Sequence, residues 1–297
     1  MTVHEPVLVS EILTYLQPRP GAVIADVTVG TAGHSLTIAP QLLPSGHLIG
    51  MDQDPDALAI ARQRLAEFTS GVTLLAGNFS DLPALLASAG HQQVDGILAD
   101  LGMSSLQVNM AQRGFSFMQD GPLDMRMDPA QALTAAAFLR RTSLGELTRV
   151  FAEFGEERYA GRIARRIVEA RRRAPLETTT ELAQLIAAAV PVRARHGRLH
   201  PATRVFQALR IAVNDELAAL DALLQALPAI VRPGGRAVML SYHSLEDRRV
   251  KQAFAAGARE GLWRLLTKKP VTPSDDEVAR NPRARSAKLR AVERGAA

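Results

Sequence analysis

Three aspartates close apolar runs in the first hundred residues: Asp26 after Val23-Ile24-Ala25, Asp52 after His47-Leu48-Ile49-Gly50-Met51, and Asp100 after Val94-Asp95-Gly96-Ile97-Leu98-Ala99. A further run, Val72–Ala76, leads to Asn78-Phe79, and the loop Thr28-Val29-Gly30-Thr31-Ala32-Gly33-His34-Ser35 follows the first. As strands of one parallel sheet, these runs would gather those residues at the carboxyl edge, where such sheets bind ligands. A carboxylate there accepts hydrogen bonds from ribose hydroxyls, an aromatic lies against an adenine ring, and glycines let the backbone approach closely. The set fits an adenosine-containing ligand. Asp26 beside the glycine loop would repel a pyrophosphate but tolerate a sulfonium bearing an amino-acid group, which favours S-adenosylmethionine over a dinucleotide. No G-K-[ST] follows the glycines, so a P-loop is excluded.

The elements that must hold this edge alternate. A helical stretch follows the glycine loop to about Leu43, and Asp54-Pro55 opens another, Pro55 suiting a first turn. A third leads into the run ending at Asp100. Runs alternating with helices imply an α/β domain with a parallel sheet covered on both faces. The alternation stops after Asp100. Glycines and prolines mark 101–134 as loop, and 135–190 read as helices, one opened by a capping box at Thr178-Thr179-Thr180-Glu181. Phe206, Leu209, Val213, Leu217, Leu220, Leu224 and Leu227 form a long helical stripe. Arg232-Pro233-Gly234-Gly235 ends it, and Arg236–Ser241 is a fifth strand, with two more expected at Trp263–Thr267 and Ala287–Val292. The expected organisation is an α/β domain of residues 1–105 and 205–297, interrupted by a mostly helical insertion, 106–204. His243, following the fifth strand, is expected to open onto the ligand edge.

Composition narrows the function classes. The 297 residues include no cysteine, which excludes a thiol nucleophile, a zinc-thiolate site and a disulfide framework. His196 and His200 are four apart, but nothing completes a metal site around them, and no metal is expected. No apolar run is long enough to span a bilayer. The opening MTVHEPVLVSEIL has no basic start, unlike a signal peptide, so the expected compartment is the cytoplasm. Residues 1–100 carry a net charge of −7 and the remainder +12. The positive charge concentrates at 140–173, 193–210 and 259–297, and only four of the 35 basic residues are lysine. Arginine's planar fork suits phosphate, and three such blocks favour nucleic acid. Arg193, Arg195, Arg198 and Arg204 form the expected RNA-contact block.

Longer motifs then carry a resemblance. Asp100-Leu101-Gly102-Met103-Ser104-Ser105, Arg113-Gly114-Phe115-Ser116-Phe117, Asp120-Gly121-Pro122-Leu123-Asp124-Met125-Arg126-Met127-Asp128 and Phe154-Gly155-Glu156-Glu157 resemble the MraW (RsmH) family of bacterial methyltransferases. So do the segment from His200 to Arg210, Ser241-Tyr242-His243-Ser244-Leu245-Glu246-Asp247-Arg248, Thr267-Lys268-Lys269-Pro270, the opening His4-Glu5-Pro6-Val7 and the closing Arg283–Arg290. The resemblance implies a class I, Rossmann-like methyltransferase sheet with an inserted helical domain that meets RNA. It implies transfer of a methyl group from S-adenosylmethionine to the exocyclic N4 of a decoding-region cytosine of 16S rRNA, within the small ribosomal subunit. By motif match the cofactor residues are Ala32, Gly33, His34, Asp52, Phe79, Asp100 and Gln107. The family has Gly-Gly-His where this chain has Ala32-Gly33-His34, and the added methyl is expected to narrow the approach to the cofactor.

Chemistry sets the demands on such a site. The amino lone pair of cytosine is delocalised into the ring, so N4 is a poor nucleophile. Thiol attack on the ring is impossible without cysteine. The amine must be held in line with the sulfonium methyl, an acceptor must localise its lone pair, and a base must take the proton. Asp100 is the expected acceptor, with Ser104 and Ser105 beside it, and His243 the expected base or base-reading group. Asp124 and Asp128 read either as catalytic or as structural partners of Arg126. Two other functions remain open: a methyltransferase acting on a protein or small molecule, and a non-catalytic RNA-binding assembly factor.

Overall fold

In the computed structural model, which describes residues 5–195 and 200–295, the apolar runs become β1 (Val23–Asp26), β2 (His47–Asp52), β3 (Val72–Ala76) and β4 (Val94–Asp100), followed by β5 (Val231–Ser241), β6 (Trp263–Leu265) and β7 (Lys288–Arg294). They form one sheet in the order β3-β2-β1-β4-β5-β7-β6. The first five strands are parallel, and β7 is antiparallel to both β5 and β6. This is the expected α/β, Rossmann-like sheet, with its switch point between β1 and β4.

Alternation along each strand divides two cores. Ile24, Leu48, Leu98 and Val238 pack on one face with Ile12, Leu16 and Ile38. Ala25, Ile49, Ile97 and Ala237 pack on the other with Leu82, Leu86, Leu220 and Leu227. Both faces are buried, so the strands read as continuous apolar runs rather than as alternating ones. Asp54 caps the helix Pro55–Arg64 by accepting from Asp56 N, with Pro55 in the first turn as expected. β5 starts earlier than expected, at Val231. Arg232–Gly235 bulges out of it between the pairs Val94↔Val231 and Gly96↔Arg236.

The chain divides into two compact units: Met1–Gly102 with Leu217–Ala297, and Met103–Glu216. The division falls at 102/103 and 216/217 instead of the expected 105/106 and 204/205. The apolar stripe of 206–227 explains the second shift. It is two helices, Ala202–Asn214 and Glu216–Ile230, broken at Asp215, whose φ is +50°. Phe206, Leu209 and Val213 join Leu147, Phe151 and Ile163 in a third core, whereas Leu220, Leu224 and Leu227 join the sheet.

The second unit is helical, as the sequence predicts. Its helices include Ala135–Arg141, Leu144–Glu153, Ala160–Arg171 and Thr179–Ala189. Thr134, Ser143 and Thr178 cap three of them, and Thr178 with Glu181 makes the expected capping box. The loop before these helices is pinned from within the same unit. The buried Arg113 donates to the carbonyls of Arg126 and Met127, and Asn214 bonds the backbone of Met125 and Met127.

Candidate active site at the carboxyl edge of the sheet

Strand register decides which acids reach the edge. Asp26 pairs with Gly50 on one side and Leu98 on the other. Asp52 and Asp100 each stand two residues further along, about 6.6 Å higher at 3.3 Å per residue. Asp26 is therefore a layer below. It is 1% exposed, accepts from Ser35 Oγ at 2.6 Å, and is pushed above the ordinary aspartate range by burial. The expectation that Asp26 faces the ligand is corrected: it ties the glycine loop to the following helix.

Asp52 does reach the edge. Its two oxygens accept from Gly30 N and Asp54 N, both at 2.9 Å, and burial raises its pKa to about 6. Each oxygen keeps a second lone pair, which suits a diol donating two hydroxyl hydrogens. Gly30 has φ +51°, the left-handed conformation that glycine adopts without steric cost. Phe79 follows β3 and is half-buried against the second sheet core. Asn78 just before it caps the next turn and bonds Gln53, joining the ends of β2 and β3. This donor and acceptor set fits the adenosine portion of S-adenosylmethionine.

Asp100 is held from three sides. Its N–H donates to Thr28 Oγ1 at 2.6 Å, Tyr242 Oη donates to its Oδ1 at 2.7 Å, and its Oδ2 lies 3.6 Å from His34 Nδ1. His34 Nε2 is 2.9 Å from the Val7 carbonyl. A carbonyl only accepts, so Nε2 carries a proton, and Nδ1 is the ring nitrogen that faces Asp100. Tyr242 is pushed well above its ordinary pKa, by burial first and by the Asp100 charge second, so it stays a donor. Sequence reasoning passed over Tyr242, whose signal was an aromatic hydroxyl immediately after the fifth strand. Pro6 and Val7 are legible only as part of a motif, without a role; the segment Pro6–Leu8 supplies Val7 O and lies against Gly33, where a Cβ would meet Pro6 Cβ at 3.3 Å. That segment is tied down from the far end of the chain, Leu8 N donating to Glu277 and Asn281 to Glu5 O.

Ala32 takes φ +65° and is fully buried, its methyl group in the first sheet core. The expected narrowing is corrected: the methyl points into the protein, and its cost is left-handed backbone in a non-glycine residue.

A model of the MraW methylase family matches residues 1–295. The chain belongs to the MraW methylase family. Proteins named ribosomal RNA small subunit methyltransferase H are 49% identical in Geobacter sulfurreducens, 48% in Heliobacterium modesticaldum and 49% in Acidobacterium capsulatum, each alignment covering 98% of both chains.

The MraW motif residues fall in both units. Ser105 opens the helix Ser105–Asn109 of the helical unit, and the buried Gln107 makes a capping box with Ser104, accepting from Ser104 N at 3.0 Å. Asp124 is no free carboxylate. Arg126 binds it through two nitrogens, at 2.8 and 2.7 Å, and holds its pKa below the ordinary range. His243 caps the helix Ser244–Arg259. Its Nδ1 accepts from Glu246 N, and its Nε2 lies 3.0 Å from Glu246 Oε1. The ring thus serves as the cap of this helix, beside the role of base or base-reading group expected of it.

The expected RNA-contact arginines are unequal. Arg195 reaches the carbonyls of Val190 and Ala188 at the end of the preceding helix, and Arg204 donates to Glu156 O at 2.7 Å. Arg193 is exposed. Arg198 lies outside the described residues, as do His196 and His4. Among the described residues no three His, Asp or Glu side chains group as a metal site, and no helix is long and apolar enough to cross a membrane.

Proposed function

We propose that this chain is an S-adenosylmethionine-dependent methyltransferase of small-subunit rRNA that modifies the exocyclic N4 of a decoding-region cytosine of 16S rRNA within the small ribosomal subunit. The observation that carries the chemistry is the Asp100 carboxylate at the ligand edge, fixed by Tyr242 and faced by His34. The rRNA substrate is supported by relatives of that name across the full chain.

S-adenosylmethionine supplies an electrophilic methyl group on a sulfonium. Asp52 would accept the ribose hydroxyls and Phe79 would lie along the adenine, and Ala32, Gly33 and His34 belong to the cofactor set by motif. Gln107 belongs to this set by motif. Asp100 would accept an N4–H hydrogen bond, which draws the nitrogen lone pair out of the ring, and would take the proton as the N–CH3 bond forms and the sulfonium S–CH3 bond breaks, its electron pair staying on sulfur. Tyr242 Oη donates to Oδ1 and holds the carboxylate in place. His34 Nδ1 faces the other carboxylate oxygen at 3.6 Å. Ser105 belongs to the catalytic set by motif, and His243 shapes the end of β5 as a helix cap.

Labelled S-adenosylmethionine and small subunits from cells lacking this methyl group test the reading. Label confined to one cytosine N4, located by nuclease mapping and mass spectrometry, is the expected result. Label on protein or on another base position overturns the cytosine assignment. Cofactor binding without transfer to any rRNA overturns the rRNA reading.

A further inference from the structure

The helix Ala160–Arg171 has two unlike sides. Ala160, Ile163, Ala164 and Ile167 are buried in the helical core. At 3.6 residues per turn, Arg162, Arg165, Arg166, Arg172 and Arg173 fall within an arc of roughly 120° on the opposite side. All five are exposed, and Arg172 keeps helical dihedrals just past the helix end. The arc holds one acid, Glu169, which pairs with Arg166 at 3.3 Å. Among the described residues, Arg162, Arg165, Arg172 and Arg173 have no carboxylate at ion-pair distance. The acids of the helix Leu144–Glu153 do not relieve them, because Glu146 and Glu153 both bind Arg149.

We infer that this arginine face binds the phosphate backbone of RNA. The inference deepens the proposed function by giving its substrate a docking surface, and it rests on that reading. Like charges in successive turns repel one another, and a polyanion laid along the face relieves the repulsion while losing its own counterions. No apolar side chain stands in the arc, so the face lacks what a helix needs to enter a lipid surface. Arginines with other duties are excluded by contact. Arg171, on the buried side, donates to the carbonyls of Leu139 and Thr142, and Arg195 and Arg204 also donate to carbonyls. The proposed phosphate-binding face thus lies in the basic block 140–173, at residues 162–173, in addition to the exposed Arg193 of the expected contact block.

The test uses the full chain with R162Q/R165Q/R172Q/R173Q, glutamine keeping the helix propensity. The probe is a 16S rRNA transcript containing the decoding region, titrated over a range of salt. The expected result is a Kd raised at least tenfold at low salt. The slope of log K against log salt should shrink by up to about 3.6, at about 0.7–0.9 per lost phosphate contact. S-adenosylmethionine affinity and Tm should be unchanged. Glu169→Lys should act oppositely and tighten binding. A folded variant with unchanged affinity and slope overturns the inference, as does one that loses binding only to anionic lipid vesicles. Failure of the proposed function looks different: the wild-type chain would bind cofactor yet methylate no rRNA. If the wild type methylates rRNA and the variant matches it in KM, only the surface assignment falls.

Discussion

The two units place their ionisable groups in opposite ways. In the sheet unit the decisive groups are carboxylates at strand ends, partly withdrawn from water, each held by fixed donors: Gly30 and Asp54 N–H on Asp52, the Tyr242 hydroxyl on Asp100. In the helical unit the abundant groups are guanidiniums on the solvent side of a helix whose other side is core. The first arrangement controls the position and protonation of a few atoms. The second spreads charge along a line and fixes almost nothing. Chemistry on one amino group needs the former, and holding a long polyanion needs the latter.

The sharpest way to break this comparison is at Asp100. Asp100→Asn keeps the shape and loses the proton acceptor, so single-turnover methyl transfer should slow by about 10²–10⁴-fold, the range for a general base, with RNA affinity little changed. An equal loss of RNA binding would mean that the sheet unit does not act only on the reacting atoms. Tyr242→Phe is the milder probe. Removing one hydrogen bond to a charged group, about 1.5–3 kcal/mol, should lower kcat roughly ten- to hundredfold while KM for rRNA stays the same.

Asp52 offers a pH test. Its carboxylate titrates at about 6 in the protein without ligand. Ribose hydroxyls bind the charged form better, so S-adenosylmethionine affinity should fall as pH drops through about 6, read by calorimetry, and Asp52→Asn should flatten that dependence. Stability carries the opposite sign. The fold holds this proton more tightly than the unfolded chain does, so the contribution of Asp52 is greatest at acid pH and is lost as pH rises through about 6.

Smaller effects separate the arginines. Arg204→Gln should cost at most about 1 kcal/mol of stability through the lost bond to Glu156 O, and should change the salt slope of RNA binding less than the Arg162–Arg173 variant does. Ala32→Gly should be nearly silent. Relief of about 1 kcal/mol of left-handed strain is offset by roughly 0.5–1 kcal/mol of unfolded-state entropy. Cofactor affinity should stay within about twofold, since the methyl faces the core.

Much of the sheet was legible because its signals are local. Val23–Asp26, His47–Asp52 and Val94–Asp100 are strands at the predicted residues, since an apolar run bounded by turns has few other ways to be buried. The capping box at Thr178 and the cap at Asp54 are likewise written in adjacent side chains. What failed was whatever depended on distant partners. Asp26 and Asp52 look alike in sequence, each the last residue of a strand, and a two-residue offset in register buries one and presents the other. His243 and Tyr242 are neighbours, and only the fold shows that the tyrosine reaches Asp100 while the histidine is engaged by Glu246.

By itself, the sequence determined the strand runs, the strand-end acids, the family motifs and the separation of negative from positive charge, because each is a property of residue type and short spacing. Only the tertiary structure decided register, and with it which carboxylate meets the ligand edge. It also decided that the single apolar stripe of 206–227 breaks at Asp215 and serves two cores, and that five arginines of 162–173 share one outward face. Burial is a competition among surfaces far apart in the chain, and a local pattern names the contestants without naming the partner each one finds.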